Sequence, residues 1–248
     1  SDDESVATYL GQKGYSIYKN AIDVKEQQWL RDELTVRPYI PKSPIQPPSY
    51  PVYRESRQKI YIPHFFGHDT YGVPDEIRIP EGDPIDVPFA GNLRDYQENV
   101  VQTYFGSVGP NGGGGLLEIP CGRGKTVIAL NIISRLKRKA LVIVHKGFLL
   151  NQWIERIEQF LPGARVGKIQ GQILDIQDKD IVIGMLQSLS MKEYPQDTFD
   201  SFGVTIVDEC HHISAEVFSR SLPKVNSQYS LGLSATPKRK DGLSGRYK

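Results

Sequence analysis

Two short stretches hold residues whose types and spacing suit chemistry. Pro120-Cys-Gly-Arg-Gly-Lys-Thr126 lies between an apolar run and a helical pattern, and Asp208-Glu-Cys-His211 closes another apolar run. A bound phosphate calls for converging backbone N–H groups, a helix N-terminus behind them and a mobile cation in front. Gly122 and Gly124 let the chain curl with its amides inward, Lys125 reaches β- and γ-phosphates, and the Thr126 hydroxyl ligates Mg2+. Asp208 is expected to hold the same ion directly or through water, and Glu209 to orient and deprotonate an attacking water. The expected cofactors are therefore ATP and Mg2+. The strict G-x-x-x-x-G-K-[ST] spacing fails, because Ile119 stands where its first glycine belongs. His211 and His212 point in different directions with no third ligand near in sequence, so hydrogen bonding to neighbouring elements is expected of them rather than a metal centre.

The elements that must position these residues follow from apolar periodicity. Strands are expected at 116–119, 140–144, 181–183, 204–207 and 229–233, and helices at 126–136, 148–161 and 215–222, with Pro162-Gly163 stopping the second helix. Such alternation implies a parallel sheet with helices on both faces, an α/β fold. The four-glycine run 112–115 precedes the first strand and reads as a flexible loop. Trp153 and Phe148 sit in a helical pattern and read as core rather than as base-stacking platforms. Lys137-Arg-Lys139 closes a helix and complements its dipole.

Residues 1–91 differ. Residues 38–51 hold six prolines and should cross the surface extended. Residues 52–56 and 59–62 read as a hairpin, 23–32 as a short helix, and 63–90 as irregular. Together they form a small α+β accessory domain ending near Gly91, with residues 92–248 as the second domain.

Composition constrains the rest. The 248 residues are 39% apolar and 24% charged, as in ordinary soluble proteins. No apolar stretch approaches a membrane span, and Ser1-Asp-Asp-Glu4 is unlike a signal peptide. Cys121 and Cys210 are the only cysteines, which fits a reducing intracellular compartment better than a disulfide scaffold. Net charge is +1, unevenly spread: residues 1–92 carry 10 Lys/Arg against 14 Asp/Glu, and residues 93–248 carry 20 against 15. The basic part holds both chemical motifs, which suits a polyanionic partner.

In this order the motifs resemble the first, RecA-like motor domain of a superfamily 2 helicase. Leu93-Arg-Asp-Tyr-Gln97 resembles the adenine-reading motif, 120–126 motif I, 208–211 motif II and Ser234-Ala-Thr236 motif III. Leu141–Lys146 with Phe148–Trp153 resembles motif Ia, and Ile181–Ser188 the later nucleic-acid motifs of this lobe. The resemblance implies Gln97 for adenine, and His211, Ser234 and Thr236 for coupling. It further implies Lys146, Met185, Gln187 and Ser188 beside a nucleic-acid backbone, with Pro120, Cys121 and Arg123 completing the nucleotide loop. Leu231–Pro237 followed by Lys238–Gly242 is similar to XPB-like and UvsW-like helicases of large DNA viruses, including the poxvirus transcript-release type. On that resemblance the compartment would be host cytoplasm or nucleus, with transcription or repair machinery as partners and no membrane.

Cys210 and His211 depart from the DEAD pattern, and no G-F-x-x-P precedes the loop; both features favour DNA over RNA. Residues 1–90 would be an accessory DNA-binding unit or a structural one. Since motifs IV to VI and the transition-state arginine do not follow motif III, the expectation is a fragment that holds nucleotide but turns it over poorly. The competing readings are an ATP-gated nucleic-acid clamp and the motor subunit of a restriction or remodelling complex.

Overall fold

The β-branched runs fall where both faces of a sheet are covered, and the alternation of their side chains sorts them into two cores. In the computed structural model, which describes residues 6–36, 41–46, 50–110, 112–195, 197–214, 217, 221 and 224–236, seven strands form the larger sheet. They are β8 (Gly113–Pro120), β9 (Ala140–Val144), β10 (Val166–Gln170), β11 (Ile173–Leu174), β12 (Ile181–Met185), β13 (Val204–Val207) and β14 (Tyr229–Thr236). Their order is β11-β10-β12-β9-β13-β14-β8, parallel except for the β10–β11 hairpin.

Ala140, Val142 and Val144 of β9 face the helices α3 (Asp95–Ser107), α4 (Lys125–Leu136) and α5 (Gly147–Phe160), while Leu141 and Ile143 face α6 (Leu186–Met191), Phe199 and Phe202. The expected α/β sandwich is observed. The helix expected at 215–222 falls outside the described residues apart from Val217 and Ser221.

A second sheet precedes it. The strands β1 (Thr8–Gly11), β2 (Gly14–Tyr18), β5 (Arg54–Glu55), β6 (Lys59–Ile62) and β7 (Glu76–Ile77) run in the order β5-β6-β2-β1-β7. A separate pair joins β3 (Thr35–Val36) to β4 (Tyr50–Pro51). Helix α1 (Val24–Glu33) starts where Asp23 accepts a 2.7 Å hydrogen bond from the Glu26 N–H, and buries Leu30 against Tyr15, Ile17, Ile60 and Ile62. The expected helix and the β5–β6 hairpin are present. The extended proline-rich segment lies outside the described residues at 37–40 and 47–49.

Two expectations are corrected. Residues 63–90 are not wholly irregular: α2 (His64–Tyr71) forms there and packs on β8 and β14. The glycine run is not a loop, because Gly113–Gly115 lie in β8. A Cβ on Gly113, at φ 153°, would come within 2.9 Å of Val108 and 3.1 Å of His68 on α2, so bare backbone is what lets the helix lie close.

Residues 79–90 strap the first sheet to the second. Ile85 N–H donates to Lys137 O at 3.1 Å, Lys139 N–H to Asp83 O at 2.9 Å and Ala90 N–H to Phe160 O at 2.7 Å, while Ile85 and Val87 enter the helix-side core. No helix among the described residues is long and apolar enough to cross a membrane.

Candidate nucleotide site

The chain leaves β8 at the sheet edge, crosses to β9, extends outward to β10 and β12, then returns to lay β13 between β9 and β14. A sheet whose connections diverge in this way opens a crevice at the carboxyl ends of its strands. Both candidate motifs lie there.

Pro120 ends β8, and after a short turn α4 begins at Lys125. Gly124 caps the helix in the left-handed conformation, φ 79° and ψ 48°. A Cβ at that position would meet Gln97 Nε2 at 2.5 Å. Gln97 is buried: its Nε2 donates to Arg123 O at 3.2 Å, and its Oε1 accepts from Arg94 N–H at 3.0 Å. Gln97 therefore ties the loop to the start of α3. Beside it, the Arg123 guanidinium lies 5.5 Å from the centroid of the Tyr96 ring. Because the first turn of α4 has N–H groups that its own geometry leaves unpaired, the loop offers donors toward the crevice.

The acidic pair follows β13, whose ladder with β9 continues through Asp208 N–H donating to Ile143 O at 2.9 Å. Lys125 Nζ reaches Asp208 Oδ1 at 2.8 Å and Glu209 Oε1 at 3.1 Å, so the lysine-tipped loop and the acids meet across 83 residues of sequence. Asp208 is 1% exposed, and its Oδ2 accepts from Trp153 Nε1 at 2.8 Å. Glu209 stands at φ 48° and ψ 47°, a left-handed conformation costing a non-glycine residue about 1 kcal/mol or more. Burial pushes the Glu209 carboxyl upward, but the hydrogen bond and charge of Lys125 outweigh it, and the pKa lies below the ordinary glutamate value. The group is thus a carboxylate at neutral pH. Burial raises the Cys210 thiol to about 11, which leaves it inert.

His211 Nδ1 lies 2.9 Å from Ser234 Oγ, linking the turn after β13 to β14. Burial and the adjacent His212 lower the His211 pKa, so the ring is neutral. The His145 and His212 rings lie 5.9 Å apart, and His145 Nδ1 is buried with no hydrogen-bond partner among the described residues. Thr236 closes β14.

The donor set fits Mg2+. Among the described residues no group of three or more His, Cys, Asp or Glu could hold a metal alone. Mg2+ needs no such cage, since it keeps waters and takes one or two protein oxygens beside substrate phosphates. The Lys125 ammonium against both acids already shows that this corner accommodates positive charge.

The residues expected near nucleic acid divide. Lys146 and Gln187 are exposed near the ends of β9 and β12, and Gln187 Nε2 donates to His145 O at 3.0 Å. Met185 is half-buried against the helix-side core, and Ser188 is buried with its hydroxyl accepting from Gly171 N–H at 3.1 Å. Trp153 is core as expected, whereas Phe148 is 56% exposed, with Lys146 Nζ 5.8 Å from its ring centroid. Sequence reasoning passed over the Trp153–Asp208 bond and the Tyr96–Arg123 contact. The apolar spacing of Leu149, Leu150, Trp153 and Ile157 signals an inward tryptophan, but nothing local names its partner.

A mainly parallel sheet of this order, bearing these two loops, is the RecA-like lobe of a superfamily 2 helicase. The chain belongs to the family described as Type III restriction enzyme, res subunit, which matches residues 90–239. A protein of Acanthamoeba polyphaga mimivirus, by name an ATP-dependent RNA helicase, is 36% identical over 246 residues, covering 96% of this chain and 47% of that protein. The DNA 3'-5' translocase XPB2 of Sulfurisphaera tokodaii is 33% identical over 158 residues, 62% of this chain and 33% of its own length. The chain thus spans about half or less of these relatives. The crystal structure of the UvsW helicase from bacteriophage T4 shares the fold, with TM-score 0.55 and 19% identity over 86% of each chain.

Proposed function

We propose that this chain holds Mg2+–ATP between Thr126 and Asp208 as the nucleotide-holding lobe of a DNA helicase or translocase, in which hydrolysis of that ATP drives movement along DNA. One observation carries the reading: Lys125 Nζ bridges Asp208 and Glu209 at the carboxyl ends of β8 and β13. Bound Mg2+ would neutralise charge on the transferring phosphoryl group. Residues 120–126 wrap the phosphates, with Lys125 turning from the acids to the β- and γ-oxygens. Glu209, ionised and held in its left-handed turn, accepts a proton from the attacking water. Gln97 and Tyr96 border the place for the base, and His211, Ser234 and Thr236 relay the state of the site to β14. Lys146 and Gln187 contact phosphates of the strand, reading backbone rather than sequence. Residues 1–91 act as an accessory unit of the same motor.

DNA is favoured over RNA by Cys210 and His211 in the acidic motif, although the mimivirus relative is named for RNA. Radiolabelled ATP binding and phosphate release should be measured on the 248-residue chain with DNA and RNA at stepped salt. Glu209→Gln is expected to keep ATP binding while cutting turnover by about a hundredfold or more, and Lys125→Ala to lose binding. Full turnover in Glu209→Gln would refute the assignment. Tighter binding to RNA than to DNA at every salt concentration would reverse the substrate.

A further inference from the structure

Asp208 is the deepest charged group of the site, and its two oxygens have partners of different kinds. Oδ1 faces Lys125, a point charge on a flexible stem at the tip of a glycine loop. Oδ2 faces the Trp153 indole, an uncharged donor with no acceptor capacity. Trp153 is 1% exposed on the inward face of α5, among Leu149, Leu150 and Ile157, so its ring has no room to swing. The aspartate backbone is fixed as well, through its N–H to Ile143 O at 2.9 Å. A lysine or arginine at this point would orient the carboxylate equally well, but would bring a positive charge beside a bound cation. An indole orients it without that repulsion.

Resting on the reading of Asp208 as the Mg2+-holding carboxylate, we infer that Trp153 is a positioning residue for that metal. Its N–H pins Oδ2, so that Oδ1 is the oxygen presented to the cation once Lys125 moves to phosphate. The lysine is the exchangeable partner and the tryptophan the permanent one.

The chain has two tryptophans, and Trp29 is 43% exposed on α1 beside Phe66, so Trp29→Phe leaves Trp153 as the sole indole. In 15N-labelled Trp29→Phe protein the indole N–H resonance should resist solvent exchange, shift when Mg2+ is added to the ADP-bound protein, and shift again in the Asp208→Asn background. By calorimetry, Trp153→Phe should raise the half-saturating Mg2+ for tight ADP binding about tenfold, the weight of one hydrogen bond to a charged acceptor. ADP affinity in EDTA should stay unchanged; a merely structural role would weaken binding in EDTA too.

A Trp153→Phe protein with Mg2+ dependence within about twofold of the parent overturns the inference, while Asp208→Asn losing that dependence leaves the metal reading standing. Asp208→Asn with parental Mg2+ dependence overturns both. If Trp153→Phe does not fold, the indole resonance decides alone, and a proton that neither Mg2+ nor Asp208→Asn moves refutes the proposal.

Discussion

Replacing Lys125 by methionine keeps the side-chain stem and removes the ammonium from a carboxylate that water barely reaches. The exposures are 19% for the Lys125 side chain, 1% for Asp208 and 27% for Glu209. Removing one partner of a fully buried pair costs roughly 3–5 kcal/mol. Partial exposure of the lysine and the retained Trp153 bond reduce this to about 2–3 kcal/mol, almost all through Asp208, since a pair as exposed as Lys125–Glu209 contributes less than about 1 kcal/mol. For a chain of this size that lowers Tm by about 5–10 °C.

The assay is a double-mutant cycle of Lys125→Met and Asp208→Asn, followed by urea and thermal unfolding in EDTA without nucleotide. In the Asp208→Asn background the methionine should cost under about 1 kcal/mol. The Glu209 share has a definite sign in pH. Its folded pKa lies below the ordinary 4.5, so its stabilisation is present above 4.5 and fades as pH falls through the lower folded value. The gap between parent and Lys125→Met should narrow over that interval. A Lys125→Met protein as stable as the parent would refute the reasoning, as would equal losses in both backgrounds.

His64, whose Nδ1 lies 2.9 Å from Ser230 Oγ, is held down to about 3 by burial and by His68, against an ordinary 6.5. An unfolded chain takes up that proton near pH 6.5 and the folded one only near 3, so stability is full above 6.5 and falls by about 1.4 kcal/mol per pH unit between the two. His64→Gln should flatten that slope in urea titrations from pH 7 to 4; parallel slopes would show that His64 is not its source. Gly124→Ala combines a left-handed backbone with a Cβ 2.5 Å from Gln97 Nε2. It should cost about 1–2 kcal/mol and weaken nucleotide binding, and parental values for both would mean that the loop relaxes freely.

Local pattern made much of this molecule legible. Strands β9 and β13 have the expected bounds, and α4 starts one residue early, because β-branched runs and a single apolar helix face leave few alternatives. The glycine-bearing turn and the acidic pair are legible as candidates because each is a short contiguous motif at the end of an apolar run. Missed were β1 and β2, whose short half-polar pattern gives little signal, and β10, whose Lys168 and Gln170 interrupt the apolar run. Helix α2 exists because Phe66 and Tyr71 pack into a cluster with Tyr15, a partner about fifty residues away along the chain. Glycines in β8 read as a loop because composition cannot show a helix lying over them. The same limit hid Trp153 behind Asp208 and Gln97 beneath Arg123: each is a meeting across the fold, and one sequence displays only neighbours.

Among the described strands β8 has a single partner, β14, paired from Gly113 opposite Tyr229 to Pro120 opposite Thr236. During translation, therefore, the segment bearing Lys125 is made before β14, its one ladder partner among the described strands, and has none to join until Thr236 has followed. Enclosing so long a loop is slow compared with local contacts. A nascent chain halted near Gln228 would hold that glycine-rich strand without its ladder partner.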